Sequence, residues 1–121
     1  MIKVLVIDDD PDVRTVMNIL MKKQGYEVET ASTKDEAFEK IRSFQPSVIL
    51  LDVLLSGYDG RDICRKIKSE PETRHMQVFM VSAHPGAAEN FQGYGADHFI
   101  TKPINTRSLL DKLDNWVKEI K

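Results

Sequence analysis

Apolar positions along the chain change period several times. "IKVLVI" (2–7) is a short β-branched run, and after it Val13, Val16, Met17 and Leu20 recur at helical spacing. Asp10 suits the N-cap of that helix, Pro11 its first position and Gly25 its stop. "YEVET" (26–30) alternates polar and apolar residues, as an exposed edge strand does. Thr33 with Glu36 makes a capping-box pattern ahead of Ala37, Phe38, Ile41 and Phe44, and Pro46 closes this second helix. "SVILL" (47–51) is apolar without alternation, which predicts a strand buried on both faces. A third helix is expected from about Arg61 to Ser69, then a strand over "MQVFMVS" (76–82). Residues 85–95 are weakly helical at best, since Gly86, Gly93 and Gly95 each cost about 1 kcal/mol against alanine in a helix interior. "HFI" (98–100) makes a last strand, and a closing helix carries Leu109, Leu110, Leu113, Trp116, Val117 and Ile120 on one stripe.

Strands alternating with helices predict an α/β fold with a parallel sheet covered on both faces. The five β–α units read as a single domain over 1–121, with no linker and no low-complexity stretch. Composition narrows the function classes. A hydrophobic share of 41% and a charged share of 30% belong to an ordinary globular domain. Net charge of −2 argues against nucleic acid or an anionic membrane as the main partner. No apolar run is long enough to cross a bilayer and no signal peptide opens the sequence, so a cytoplasmic location is expected. Cys64 stands alone, which leaves no disulfide framework and no cysteine pair for a metal; it is expected to pack under its helix.

In doubly wound sheets, ligands sit at the carboxyl ends of the strands. The residues that follow the apolar runs are Asp8 and Asp9, then Asp52, Ser82 and Lys102. Two like charges about 5 Å apart repel by roughly 3 kcal/mol at an effective dielectric near 20, so three carboxylates in one cleft call for a cation. Lys102 supplies a single charge. Oxygen ligands without histidine or cysteine suit Mg²⁺ rather than Zn²⁺, with Mn²⁺ an alternative. A lysine and a hydroxyl beside such an ion suit a phosphoryl group. Asp10 is explained by its N-cap place alone.

With these residues in view, the chain resembles the receiver domain of two-component response regulators, the family of the chemotaxis protein CheY. The acidic pair Asp8–Asp9, Asp52 in "VILLDVLLSGYDG", Ser82–Ala83 and "GADHFITKP" (95–103) carry the resemblance, which runs end to end. It implies a flavodoxin/CheY-like sheet of order 2-1-3-4-5 with helices on both faces. It implies Asp52 as phosphoacceptor, with Lys102 and Ser82 acting on the phosphoryl group. Asp9 would bind Mg²⁺ directly, Asp8 through water, and the Leu54 backbone carbonyl would be a further ligand beside Asp52. The Lys102–Pro103 bond would be cis. Phe99 occupies the aromatic switch position, where a plain core phenylalanine is an equal rival, and it would turn as Ser82 moves.

Departures from the family pattern bear on mechanism. Leu55–Ser56 stands where Met-Pro is common, which would loosen the loop over the site. Leu54 and His84 flank the path of an attacking water, and of the two only His84 could orient one. His75 and His98 read as isolated surface residues. The expected activity is a phosphorylation-driven signalling switch rather than a conventional enzyme, fed by a sensor histidine kinase or a phosphotransfer protein. The face over 85–121 would change on phosphorylation and act on a downstream target or effector domain, with a homodimer on phosphorylation as one outcome. The chain is either a stand-alone receiver or the receiver of a longer regulator. Two rival classes are a Mg²⁺-dependent phosphatase, disfavoured because no second acid–base group lies near Asp52, and a degenerate receiver that only binds partners.

Overall fold

The computed structural model of the chain describes residues 2–55, 57–83 and 91–120. Five parallel strands form its centre: β1 (Lys3–Ile7), β2 (Glu27–Ala31), β3 (Val48–Asp52), β6 (Gln77–Ser82) and β7 (His98–Thr101). Their spatial order is β2-β1-β3-β6-β7. Counting the strands of this sheet alone, that is the expected 2-1-3-4-5 arrangement. The half-polar "YEVET" run supplies β2 at one edge, and the unbroken apolar run supplies β3 in the middle, buried at all five positions.

The alternation along each strand assigns side chains to two cores. Leu5, Ile7, Ile49, Leu51 and Met80 face helices α2 (Lys34–Phe44) and α3 (Gly60–Ser69) through Ile41, Ile63 and Ile67. Val4, Val6, Leu50, Phe79 and Val81 face α1 (Pro11–Lys23) and α4 (Thr106–Ile120) through Met17, Met21, Leu109 and Leu113. Burying each such side chain stabilises the fold by about 1.5–3 kcal/mol, and the two cores hold the sheet rigid between them.

Helix ends follow the sequence chemistry closely. The Asp10 carboxylate accepts the Asp12 N–H at 2.9 Å to start α1, and Gly25 takes a positive φ of 89° beyond its end. Thr33 accepts the Glu36 N–H at 3.1 Å, while Glu36 reaches back to the Ser32 N–H at 2.6 Å, one residue before the cap. Helix α2 stops where Gln45 adopts a left-handed φ of 53°, just before Pro46.

Three features differ from expectation. A short antiparallel hairpin, β4 (Leu54–Leu55) with β5 (Tyr58–Asp59), follows β3; two-residue strands carry no readable period. Val16 is 47% exposed, because the buried face of α1 runs through Met17 and Met21 and leaves Val16 and Ile19 to one side. His98 is half-buried rather than a surface residue: the β6–β7 register places it beside Phe79, and the two rings stack with centroids 4.3 Å apart. Burial lowers its pKa. The end of the 85–95 segment forms a 3₁₀ turn, Phe91–Tyr94. The expectations placed on Ser56, His84, Gly86 and the Ile120 side chain lie outside the described residues. Cys64 packs fully buried beneath α3, and burial pushes its thiol up to about 12.

Candidate functional site

Because the strands run parallel, their carboxyl ends share one edge of the sheet, and five side chains come together or close to one another there. Asp8 and Asp9 follow β1, Asp52 and Ser82 are the last residues of β3 and β6, and Lys102 follows β7. The Lys102 backbone N–H donates to the Ser82 carbonyl at 2.8 Å, which ties the β7 exit to the end of β6. The Lys102–Pro103 bond is cis.

The Lys102 ammonium lies between two carboxylates, donating to Asp8 Oδ2 at 3.1 Å and Asp52 Oδ2 at 3.2 Å. Asp8, Asp52 and Ser82 are buried, with exposures of 3%, 7% and 2%, whereas Asp9 is exposed. Burial raises the Asp52 pKa, and the Asp8 charge raises it further; Lys102 and the Leu54 N–H, which reaches Asp52 Oδ1 at 3.3 Å, only partly offset this. Burial works against the Lys102 charge, yet its hydrogen bond to Asp8 and the two carboxylate charges prevail and raise its pKa. The lysine is therefore a fixed cation at neutral pH.

One ammonium does not balance this cluster. Asp8, Asp9 and Asp52 each present a carboxylate oxygen, all within 4.8 Å of one another. At that separation and an effective dielectric near 20, each pair of negative charges costs about 3 kcal/mol. Three hard oxygen donors around a space of that size fit a small divalent ion of the Mg²⁺ type. The donors differ in readiness. Asp8 Oδ1 already accepts the Asp10 N–H at 2.9 Å and its Oδ2 accepts Lys102, while Asp9 makes no side-chain hydrogen bond among the described residues.

Neighbouring residues shape the approach. Leu54 is 52% exposed at the start of the hairpin. Phe99 is half-buried against the α2–α3 core, and its carbonyl accepts Lys112 Nζ at 3.2 Å. On the α1 side, an open groove of about 280 Å³ is walled by Val13, Val16, Met17, Pro103 and Ile104 and reaches Lys102. Two residues near the site were missed in the sequence. A Cβ built on Gly60 would overlap the Asp52 carbonyl oxygen and lie 3.1 Å from Val53 Cα, so the first turn of α3 rests directly on the Asp52 backbone. Arg14 donates from Nη1 to the Asp8 carbonyl at 2.9 Å. A cation early in α1, where the helix dipole favours acids, was the available signal for it.

The family model described as response regulator receiver domain matches residues 4–114. A CheY-like receiver domain protein from Methanospirillum hungatei is 30% identical with a TM-score of 0.88, covering 98% of this chain and 95% of that one. The chemotaxis protein CheY4 of Vibrio cholerae is 27% identical with a TM-score of 0.87, over 95% of this chain and 98% of its own. At 24% identity, TrrA of Thermotoga maritima, solved in complex with Mg²⁺ and BeF, shares the fold with a TM-score of 0.84 over 95% and 98% of the two chains.

Proposed function

The chain belongs to the response regulator receiver domain family, and from that premise we propose that it is a Mg²⁺-dependent phosphoryl switch with Asp52 as acceptor. The observation that carries this reading is the gathering of Asp8, Asp9 and Asp52 at one sheet edge, with Lys102 bridging Asp8 and Asp52. Asp9 and Asp52 would hold the ion directly, together with the Leu54 carbonyl, and Asp8 would hold it through water. A bound Mg²⁺ supplies charge neutralisation for the incoming phosphoryl oxygens.

The remaining chemistry belongs to the chain. An Asp52 carboxylate oxygen attacks phosphorus while the bond from phosphorus to the donor's imidazole nitrogen breaks, leaving an acyl phosphate. Lys102, held charged between Asp8 and Asp52, meets the growing negative charge on the phosphoryl oxygens. Ser82 lies buried at the adjacent strand end, where its hydroxyl can donate to one of those oxygens. Its movement, with that of Phe99, would shift an existing two-state balance over the 85–121 face and change binding to a downstream target, an effector domain or a second copy. Such a domain signals rather than turns over substrate, and its expected setting is the cytoplasm beside a sensor histidine kinase or phosphotransfer protein. No described helix is long and apolar enough to cross a membrane.

Binding of beryllofluoride, a phosphoryl mimic, tests the site directly. Uptake should require Mg²⁺ and fail when the ion is chelated; uptake without any divalent ion would refute the reading.

Two further outcomes are expected. Leu54 is exposed, lies two residues beyond the acceptor and cannot orient a water, so Leu54→Asn should shorten the phosphoryl lifetime several-fold in a decay assay. A variant losing phosphate no faster than wild type would remove Leu54 from the account. The donor must bring its imidazole to Asp52, and the apolar groove leading to Lys102, continued by exposed Val16 and Ile19, is the surface suited to receive it. Val16→Glu combined with Ile19→Glu should slow transfer from a histidine-phosphorylated donor roughly tenfold, the scale of an interface anchor lost. Transfer from acetyl phosphate, which needs no docking, should not change.

A further inference from the structure

Asp8 is held at every polar group. Its N–H donates to the Ala31 carbonyl at 3.1 Å, Oδ1 accepts the Asp10 N–H at 2.9 Å, and Oδ2 accepts Lys102 Nζ at 3.1 Å. The fourth group, its carbonyl, accepts Arg14 Nη1 at 2.9 Å. The first two contacts are backbone groups of the fold, and the third belongs to the cluster itself. Among the described residues, Arg14 is the one side chain holding this turn that the proposed chemistry leaves unused.

Its position needs a reason. Arg14 is the fourth residue of α1, near the positive end of the helix dipole, where Asp12 is the favoured type of residue and a cation is not. The contact with Asp8 offers that reason. A peptide unit is planar, so the Asp8 carbonyl, the Asp9 N–H and the Asp9 Cα move as one body. Gripping the Asp8 oxygen therefore fixes where Asp9 Cα sits and the N–Cα axis from which its side chain departs. Asp9 is exposed and its carboxylate has no hydrogen bond among the described residues, so nothing else on the side chain aims it. Its oxygen nonetheless falls within 4.8 Å of those of Asp8 and Asp52.

The geometry points to Arg14 as a positioning residue for the divalent-ion site: its guanidinium fixes the Asp8–Asp9 peptide plane and so presents Asp9 to the ion. This rests on the proposed reading of the acidic cluster. Arg14 touches neither ion nor phosphoryl group and acts only through the backbone that carries Asp9.

Calorimetric titration of the full chain with Mg²⁺, before any phosphorylation, tests it. Arg14→Ala should bind Mg²⁺ roughly tenfold more weakly than wild type, the usual size of an effect relayed through a ligand's support. Its melting temperature without the ion should stay within a few degrees of wild type. Arg14→Lys keeps the charge and one donor but loses the fork. It should fold and fall between the two, which keeps the comparison open if Arg14→Ala is poorly folded. Affinities of Arg14→Ala and Arg14→Lys equal to wild type would overturn the inference, as would a drop in affinity matched by an equal drop in folded fraction. Wild type that takes up no Mg²⁺ would mark failure of the acidic-cluster reading itself, a result separable from the first because it needs no variant.

Discussion

Asp52→Ala should take up no phosphoryl group from acetyl phosphate or from a histidine-phosphorylated donor, as read by intact mass, and should still melt no lower than wild type in the absence of divalent ions. The first half follows from chemistry. Asp52 is the carboxylate that lies both within reach of Lys102 at 3.2 Å and at the centre of the sheet edge, with its Oδ1 turned to the Leu54 N–H. Asp8 is held more closely through both oxygens, at 2.9 and 3.1 Å against 3.3 and 3.2 Å for Asp52, so it is a poor substitute nucleophile. The second half follows from electrostatics. Asp52 is buried, and the charge of Asp8 opposes its own. Removing it relieves one unfavourable pair while Lys102 keeps Asp8, a change expected to stabilise the ion-free fold by roughly 1 kcal/mol, as substitutions at strained functional sites often do. Mg²⁺ should reverse the ranking. A ligand that binds only the folded state raises stability with its concentration, and wild type has the full acidic set to gain from it. An adduct that persists in Asp52→Ala would place the acceptor elsewhere. A variant less stable than wild type with and without the ion would show that Asp52 serves the fold more than the chemistry.

How much of this was legible beforehand depended on the length scale of each signal. Strands β1, β3 and β6 were readable because a run of four apolar residues in an α/β pattern has few other uses, and "SVILL" could only be central. Strand β2 showed in its alternation, and β7 in the short "HFI" where the pattern called for one more strand. Once the sheet was known to be parallel, the strand-end residues Asp8, Asp9, Asp52, Ser82 and Lys102 had to share one edge. No distance was needed for that step. Signals shorter than a period were lost: the Leu54–Leu55 and Tyr58–Asp59 hairpin has two residues per strand. Signals that depend on the angle of a helix were blurred: Val16 shares the helical spacing of Val13, Met17 and Leu20, yet Met17 and Met21 define the buried face. His98 looked isolated because its partner, Phe79, lies on a neighbouring strand and meets it only through register. Arg14 and Gly60 act on backbone carbonyls, and a backbone contact leaves little trace in residue type.

Gly60 is where that last kind of contact should matter most. The Cβ of Gly60→Ala would overlap the Asp52 carbonyl oxygen and come within 3.0 Å of its carbon. Neither is the end of a flexible side chain, so relief requires moving either β3 or the start of α3. Helix α3 cannot easily retreat, since Ile63, Cys64 and Ile67 are packed in the core and the Gly60 N–H is bonded to the Val53 carbonyl at 2.6 Å. Forcing extra volume into a packed site costs typically 1–3 kcal/mol, and backbone on the far side of the contact puts this case at the upper end. A loss near 3 kcal/mol corresponds to a fall in melting temperature of roughly 10 °C for a domain of this size. Because the displaced atoms belong to Asp52, the proposed acceptor, phosphoryl uptake by the fraction still folded should fall as well. Gly57→Ala is the matched control: that glycine has a positive φ of 80° but nothing within 4 Å of an added Cβ. It should lose only about 1–2 kcal/mol of left-handed strain, and its Asp52 should stay in place. Equal melting temperatures for the two variants would mean that the close approach of α3 to Asp52 carries no energetic weight.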